Sequence, residues 1–474
     1  MQDRLEALRA RIAQVEPVRA VGRVHEIDTT AIWLRGLSEV ASLGDRLRLL
    51  RRSGEPLEGE VLRIRDDLVA MLPDDGPEGV ARGDRVAVLG PPTLSPDDGW
   101  IGRVIDPYGH PLDGKPLPQG PRRRPYRAPP PPAAARRPLG GRLATGLAAF
   151  DTVLPLVRGQ RIGLFAGSGV GKSRLLAQLA RGVEADVVVL ALVGERGREV
   201  QEFVHSVLGP EGMARSVVVA ATSDRSPLER RRCALAAMTV AEHFRDQGLH
   251  VLYLADSITR FAEAHREVAV AGGEMPALRG HPPSVAHQIM RLGERAGPGA
   301  AEQGDITAVF SVLVAGSDMD EPVADILRGV LDGHIVLDRA IAERGRFPAI
   351  DLLRSVSRSL PEAASETENM LIAQMRQLLG AYARSETMIR AGLYRPGEDA
   401  VLDQAVRAWA DLDAFLAQPA RNGPEMAFQN LQLILRKAAV PIAAPRAAGV
   451  PAAPRRVGQA GSRTERIVCA PVPQ

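Results

Sequence analysis

Eight residues near the middle of the chain have the types and spacing of a phosphate-binding loop. Residues 166–173 read Ala-Gly-Ser-Gly-Val-Gly-Lys-Ser and follow the apolar run 162–165, which predicts a strand, a glycine-rich turn and a helix. Glycines let backbone N–H groups point at phosphate oxygens, and the helix N-terminus adds a favourable dipole. The lysine would reach the β- and γ-phosphates, and the next hydroxyl would ligate Mg²⁺. The sequence therefore predicts a purine nucleoside triphosphate site at Gly167, Ser168, Gly169, Val170, Gly171, Lys172 and Ser173.

The lysine of this loop is unusual in an arginine-rich chain. Lys115, Lys172 and Lys437 are the only lysines among 60 basic residues, which indicates that lysine is kept where a compact ammonium fits and a broad guanidinium does not. The first loop position is Ala166, whereas the strict pattern has glycine. A glycine-rich turn with a chance Gly-Lys-Ser is therefore the alternative at this point.

Two acidic residues at the ends of predicted strands can complete such a site. Asp256 ends the apolar run 251–255, the position from which a phosphate-loop protein holds Mg²⁺. Glu195 follows the run 188–193, where a carboxylate can orient and polarise an attacking water, and the adjacent Arg196 can face the γ-phosphate. The alternatives are a solvated strand-end aspartate and a charged surface loop.

Composition limits the class of protein. At 474 residues, 45% of them hydrophobic and 25% charged, the chain can hold two or three globular domains. A net charge of +3 and 4% aromatic residues argue against nucleic-acid binding. Cys233 and Cys469 suggest neither a disulfide framework nor a metal site, which fits a reducing cytosol. We expect neither a secretory signal nor a membrane span, because the chain starts with charged residues and has no apolar run of about 18 residues.

Pattern changes along the chain predict its domains. Helical spacing of apolar residues predicts an amphipathic helix at the start, and six closely spaced strands predict a small closed barrel. Strands that alternate with helices predict a parallel sheet covered by helices. The predicted parts are a helix in 1–20, a β-barrel in 21–92, a turn-rich connector and Pro/Arg linker in 93–144, an α/β core in 145–368, a helical domain in 369–438 and a disordered tail in 439–474.

The same patterns predict individual strands. Barrel strands are expected at 24–27, 31–34, 46–50, 59–65, 68–72 and 85–89. Core strands are expected at 162–165, 187–193, 216–221, 251–255 and 306–314, and long C-terminal helices at 370–388 and 400–417. The Pro/Arg-rich stretch 121–138 is expected to be an extended linker that stays outside the core.

Four separated motifs together resemble one known superfamily. Besides the loop, they are Gly-Glu-Arg-Gly-Arg-Glu at 194–199, Asp-Ser-Ile-Thr-Arg at 256–260 and Ser-Val-Ser-Arg at 355–358, and the set resembles the F1/V1-type rotary ATPases. Within that superfamily, Arg-Gly-His-Pro-Pro-Ser-Val at 279–285 resembles the type III protein-export ATPases, and the flagellum-specific branch is the most similar. The resemblance covers about residues 20–435. In this branch alanine is tolerated at the loop position of Ala166.

The resemblance implies a fold and a set of site residues. It implies an α/β fold, with a RecA-like phosphate-loop core, an N-terminal β-barrel and a C-terminal helical domain, that assembles as a homohexamer and hydrolyses Mg-ATP. Lys172 and the loop would bind phosphates, and Ser173 and Asp256 would serve Mg²⁺. The other implied roles are the catalytic carboxylate at Glu195, γ-phosphate contacts at Arg196 and Arg260, a finger into the neighbouring subunit at Arg358, adenine packing at Phe347 and a second adenine contact at Tyr394.

The resemblance also implies partners and a location. The partners are a stator-like regulator at the N-terminal helix, a coiled-coil central stalk protein, the export gate, and export substrates with their chaperones. The location is the cytoplasm, with peripheral association at the cytoplasmic face of the inner membrane.

Three other classes of protein compete with the export-ATPase interpretation. Non-catalytic rotary subunits carry Gln where this chain has Glu195, which argues against them. An RNA-translocating hexamer would need an aromatic, basic N-domain, but Trp33 is the only aromatic residue in 21–89. A virulence-type secretion ATPase has nearly the same motifs and stays open, although residues 137–142 and 272–274 favour the flagellar branch by likeness.

Overall fold

The computed structural model describes residues 19–28, 30–314, 319 and 321–439. The helix predicted for 1–20 lies outside the described residues apart from its last two, and the tail predicted for 439–474 lies outside them apart from Ala439. The described chain forms a closed barrel, a central sheet between helices, and three long C-terminal helices. None of the described helices is long and apolar enough to cross a membrane.

Six antiparallel strands close the N-terminal barrel. They are β1 Val21–Ile27, β2 Ile32–Arg35, β3 Arg46–Leu50, β4 Pro56–Arg65, β5 Leu68–Pro73 and β6 Arg85–Gly90. Their order around the barrel is β1-β2-β5-β4-β3-β6. Alternate apolar residues point inward and are fully buried, for example Ile32 and Leu34, or Leu47 and Leu49. The predicted barrel is confirmed, and each strand overlaps its prediction.

A mostly parallel sheet forms the central domain. The strands after the barrel are β7 Thr93–Leu94, β8 Val104–Ile105, β9 Arg124–Pro125, β10 Arg161–Ala166, β11 Val187–Glu195, β12 Ser216–Thr222, β13 Val251–Asp256, β14 Gly297–Pro298, β15 Asp305–Leu313, β16 Gly333–Leu337 and β17 Ile350–Ser357. Strands β7 and β9 pair with each other, and the large sheet runs β17-β16-β10-β15-β13-β11-β12-β8, with β14 beside β15. The α/β fold with an N-terminal barrel is therefore confirmed.

Helices cover both faces of this sheet because its strands are apolar on both sides. In β11, Val188 and Leu190 pack into one core cluster, whereas Val189 and Ala191 pack into the other. The helices are α1 Ala148–Asp151, α2 Lys172–Gly182, α3 Gly197–Glu202, α4 Gly209–Met213, α5 Pro227–Arg245, α6 Ile258–Ala271, α7 Ser284–Arg295, α8 Pro322–Val330, α9 Arg339–Glu343, α10 Glu366–Arg390, α11 Ala400–Leu416 and α12 Gly423–Ala439.

The C-terminal helices α10, α11 and α12 pack on one another and on the core. Helix α10 begins with a capping box, in which the Ser365 hydroxyl accepts from the Glu368 backbone N–H and the Glu368 carboxylate accepts from the Ser365 N–H. The Arg142 guanidinium lies 5.1 Å from the ring centroid of Phe428 in α12. The helical end of the chain is therefore joined directly to the segment that leads into the core.

Two parts of the chain differ from their predictions. The stretch 121–138 is packed against the core, because Tyr126 is fully buried and its carbonyl accepts from Arg295 at 2.6 Å. The sheet also has an antiparallel edge, β17 on β16, which the sequence patterns did not predict. The exposed side of β17 breaks the continuous apolar run expected of a parallel strand.

Candidate functional site

The phosphate loop is the turn between β10 and α2. Strand β10 ends at Ala166, and α2 begins at Lys172. Gly169 and Gly171 have φ angles of +79° and +90°, a left-handed backbone that glycine adopts without steric cost. Because β10 lies inside the sheet between β16 and β15, the loop stands at the carboxyl edge of the sheet, where α/β proteins bind ligands.

A cavity of about 490 Å³ opens beside this loop. Of the predicted site residues, its lining contains Gly167, Ser168, Gly169, Gly171, Lys172, Ser173, Glu195, Arg196 and Arg260. It also contains Arg174, Gly194, Glu199, Ser223 and Leu313, which carried no predicted role. Two concavities elsewhere on the described chain are larger, at about 690 and 740 Å³, but the loop lines neither of them. The 490 Å³ cavity is the one with the chemistry of a phosphate site.

Lys172 lines this cavity and forms an ion pair with Asp256, which lines an adjoining cavity of about 220 Å³ together with Ser173 and Glu195. The Lys172 ammonium contacts Asp256 Oδ1, and both side chains are almost fully buried. The Ser311 hydroxyl, from β15, donates to the same oxygen at 2.8 Å. Ser311 carried no predicted role, because its only signal in the sequence is a lone hydroxyl in an apolar strand. The three groups meet because β10, β15 and β13 are neighbours in the sheet.

Glu195 ends β11 and faces the same cavity. The pKa of its carboxyl is raised from 4.5 to about 7, because burial and the negative charge of Asp256 outweigh the opposing effect of Lys172. A carboxylate with a pKa near neutrality is suited to hold and polarise a water molecule. The geometry therefore brings the predicted catalytic carboxylate to the phosphate loop.

Two arginines line the outer part of the cavity. Arg196 is the N-cap residue of α3, and its side chain is largely exposed. Its Nη1 lies 3.6 Å from Glu199 Oε1. Arg260 lies in the first turn of α6, and its Nη1 lies 3.3 Å from Glu263 Oε2. Both guanidinium groups have only weak, solvent-exposed partners, so an anion can attract them at little cost.

Phe347 stands against the loop from the other side. A methyl group placed on the Gly171 Cα would lie 3.1 Å from the Phe347 ring, and 47% of the Phe347 side chain is exposed. The ring therefore presents a half-open aromatic face at the end of the phosphate loop. Tyr394 lies between α10 and α11, outside the cavity lining, and its hydroxyl donates to Asp403 Oδ1 at 2.5 Å.

Arg358 lies outside the cavity of its own chain. It follows β17, and its Nη2 donates to the carbonyl of Arg328 at the end of α8, 3.1 Å away. The structure thus separates Arg358 from the other predicted catalytic residues.

The residues at the loop match the ligand preference of Mg²⁺. Mg²⁺ takes oxygen ligands and is commonly held by one or two protein groups together with substrate phosphates. Ser173 in the first turn of α2 and Asp256 at the end of β13 offer a hydroxyl and a carboxylate of this kind. The donor set therefore fits a Mg-nucleotide.

The parallel sheet, the glycine loop and the strand-end carboxylates define a nucleoside-triphosphatase core of the RecA-like phosphate-loop class. A sequence model of the ATP synthase alpha/beta family, nucleotide-binding domain, matches residues 146–357. A second, of the T3SS EscN ATPase C-terminal domain, matches residues 364–432.

Full-length comparisons agree with these matches. The chain is 44% identical to the flagellum-specific ATP synthase of Caulobacter vibrioides, over 87% of this chain and 95% of the relative. It is 42% identical to the type 3 secretion system ATPase of Xanthomonas euvesicatoria, over 87% and 93%. The solved structure of the assembled ATPase EscN with its central stalk EscO, from enteropathogenic E. coli, superposes with a TM-score of 0.79 at 37% identity, over 87% of this chain and all of EscN. The chain belongs to the flagellar and type III secretion branch of the ATP synthase alpha/beta family and is an ATP-hydrolysing enzyme.

Proposed function

We propose that the chain hydrolyses Mg-ATP at the cavity beside the phosphate loop, with Glu195 as the carboxylate that orients the attacking water. The observation that carries this proposal is that the loop and the half-buried Glu195 line one cavity, while Lys172 of the loop pairs with Asp256 directly behind it. Phosphoryl transfer needs little covalent chemistry from the protein, so placing the water and neutralising charge are the main tasks.

The phosphates are bound by exchange of ion-pair partners. Before nucleotide arrives, Asp256 neutralises the Lys172 ammonium. The β- and γ-phosphates then take the place of the Asp256 carboxylate on Lys172, while loop N–H groups hold the other phosphate oxygens. Mg²⁺, held by Ser173 and Asp256, would add positive charge against the developing negative charge of the phosphates. Arg196 and Arg260 turn from their exposed partners toward the γ-phosphate.

The active unit is a ring in which Arg358 completes the site of a neighbouring subunit. Its position outside its own cavity supports this arrangement, because a charge that is distant within one chain can be close across an interface. An arginine supplied in this way stabilises the charge that develops in the transition state. A homohexamer, as the F1/V1 resemblance implies, provides one such interface for each site.

The work of the ring is type III export of flagellar proteins. The Caulobacter vibrioides relative carries the flagellar name, and EscN was solved with a central stalk, which supports a coiled-coil stalk partner here too. We place the enzyme at the cytoplasmic face of the inner membrane, near an export gate, with a stator-like regulator and chaperone-bound export substrates as further partners. Virulence-type secretion is the second candidate, because the Xanthomonas euvesicatoria ATPase is nearly as similar.

Glu195→Gln tests the site. The substitution keeps the shape of the side chain and removes its charge, so we expect Mg-ATP binding to be retained and turnover to fall about 100-fold or more. Steady-state turnover per subunit is measured against protein concentration for both forms. Turnover that rises with concentration in the wild type and is absent in the variant supports interfacial sites, whereas a low rate that is unaffected by the substitution contradicts the proposal.

Motility and flagellin secretion in a gene-deletion strain, restored by wild type alone, test the flagellar assignment.

A further inference from the structure

The segment that carries Phe347 is joined to helix α11 by two arginines that precede the ring in sequence, Arg344 and Arg346. The Arg344 guanidinium lies 5.7 Å from the ring centroid of Trp409, and Arg346 Nε lies 3.0 Å from Asp413 Oδ1. Trp409 and Asp413 are four residues apart on α11, so they share one face of that helix. The segment therefore contacts two successive turns of one helix.

Arg346 also organises the backbone immediately after Phe347. Its Nη1 donates to the carbonyl of Pro348 at 3.0 Å, and its Nη2 donates to the carbonyl of Ile350 at 2.7 Å. The side chain is almost fully buried, although it carries a charge. A planar guanidinium with several donors can hold two carbonyls and one carboxylate at once, which a lysine ammonium cannot do with fixed geometry. Asp413 supplies the negative charge that such a buried cation needs.

Packing alone does not hold the Phe347 ring in place. About half of the side chain is exposed, and its near neighbour is Gly171 of the loop. The direction of the ring therefore depends on the backbone that carries it. Arg346 donates to that backbone at Pro348 and Ile350, and Asp413 of α11 pairs with Arg346 itself.

We propose that Arg346 is a positioning residue for the base-contacting ring of Phe347, and that Asp413 of α11 holds Arg346 in place. The position of the C-terminal helices then affects how well the site receives the base, and it does not affect the phosphate half of the site. The inference rests on the contact between Phe347 and the adenine base that the family resemblance implies, which we add here to the proposed function.

The test separates base binding from phosphate binding. Dissociation constants are measured for Mg-ATP and for Mg-tripolyphosphate, which has no base, on the full chain. For Asp413→Asn we expect Mg-ATP to bind about fivefold more weakly, a part of what a base–aromatic stack contributes, with tripolyphosphate unchanged. Arg346→Lys should show the same pattern. In turnover, KM for ATP should rise while kcat stays near its wild-type value.

Two further variants decide the interpretation. Asp411→Asn is the matched control, because Asp411 lies on the same helix but pairs with Lys437 at the exposed surface, 2.9 Å away. We expect it to change neither dissociation constant. Phe347→Ala should weaken Mg-ATP alone, and adding Asp413→Asn to it should cause no further loss, since the aspartate acts through the ring.

Each remaining outcome overturns a specific claim. If Phe347→Ala weakens Mg-ATP selectively and Asp413→Asn does not, the positioning role is wrong and the base contact stands. If Asp413→Asn weakens both ligands equally, the pair has only a general structural role and the inference also fails. If Phe347→Ala affects neither ligand selectively, the base contact fails, and this inference fails with it. Should Asp413→Asn not fold, judged by circular dichroism, Arg346→Lys replaces it in the same comparison.

Discussion

The joint between barrel and core depends on one buried carboxylate, Glu60 of β4. Its Oε1 lies 2.6 Å from Arg231 Nη2, and its Oε2 lies 3.0 Å from Arg232 Nη2, both on α5. Arg127 adds a third guanidinium at 3.4 Å. Glu60→Gln removes the negative charge that Arg231 pairs with and leaves buried Arg232 with Asp74, 3.6 Å away, as its carboxylate partner. We expect this single substitution to loosen the barrel from the core.

The size of the effect follows from the pKa of Glu60. Burial alone would raise that pKa, but Arg231, Arg232 and Arg127 outweigh burial and lower it from 4.5 to about 2. At about 1.4 kcal/mol for each pH unit, the charged network contributes roughly 3 kcal/mol to the free energy of unfolding. Removing one partner of a buried pair typically costs about 3–5 kcal/mol, which is consistent. Because the folded pKa is the lower one, this stability is complete above about pH 5.5 and is lost as the pH falls toward 2.

The assay is urea unfolding followed by far-ultraviolet circular dichroism, since urea leaves the ionic strength unchanged. At pH 7, Glu60→Gln should be less stable than wild type by roughly 3 kcal/mol, and by pH 3.5 that difference should shrink by roughly 1.5 kcal/mol. Glu58→Gln is the control, because Glu58 pairs with Arg46 and Arg48 in a more exposed setting and should cost under about 1 kcal/mol. Equal losses for the two variants, or a Glu60 effect that does not depend on pH, would refute the reasoning.

The other predictions concern the nucleotide site. Arg358→Ala alone should abolish turnover, but rings mixed with Lys172→Ala subunits should regain some activity at hybrid interfaces, measured on mixtures whose assembly is confirmed by light scattering; no rescue in confirmed mixed rings contradicts a finger acting between subunits. Ser311→Ala removes the hydroxyl on Asp256 and should raise the Mg²⁺ concentration for half-maximal nucleotide binding about threefold to tenfold, measured by titration with the fold checked by circular dichroism; an unchanged midpoint means the hydroxyl does not orient the carboxylate. Phe347→Tyr keeps the aromatic face and should leave KM for ATP within about twofold, whereas Phe347→Leu should raise it; equal KM values for the two would argue against stacking.

Much of the fold followed from short-range patterns in the sequence. The barrel strands and the five core strands predicted from apolar runs are all present. They could be predicted because a strand face that is buried consists of apolar residues. The edge strand Ile350–Ser357 was not predicted, because the residues on its exposed face interrupt the apolar run. The stretch 121–138 was expected to stay outside the core because prolines and arginines dominate it. Tyr126 is nevertheless buried, and Arg124, Arg136 and Arg137 bond to residues of the core.

The motifs of the site could be predicted from the sequence, but the contacts between residues of different motifs could not. Glu195, Lys172 and Asp256 stand at the ends of strands or at a helix start, so their types and positions were readable. Ser311 could not be recognised in this way, because the role of its hydroxyl depends on Asp256 in the neighbouring strand. The contact between Arg346 and Asp413 joins residues far apart in sequence, and only the packing of α11 on the core brings them together. Long-range pairing of this kind is what a single sequence does not display.

The Lys172–Asp256 pair also explains how a buried lysine is kept ready for use. Burying an ammonium without a partner is costly, because the ion loses its hydration. The carboxylate of Asp256 offsets this cost in the resting site, and the Ser311 hydroxyl donates to the same carboxylate. In the exchange proposed above, incoming phosphates replace one anion with another, so the lysine would not pass through an unpaired buried state. The Asp256 carboxylate released by this exchange would then be available as an oxygen ligand for the Mg²⁺ of the nucleotide.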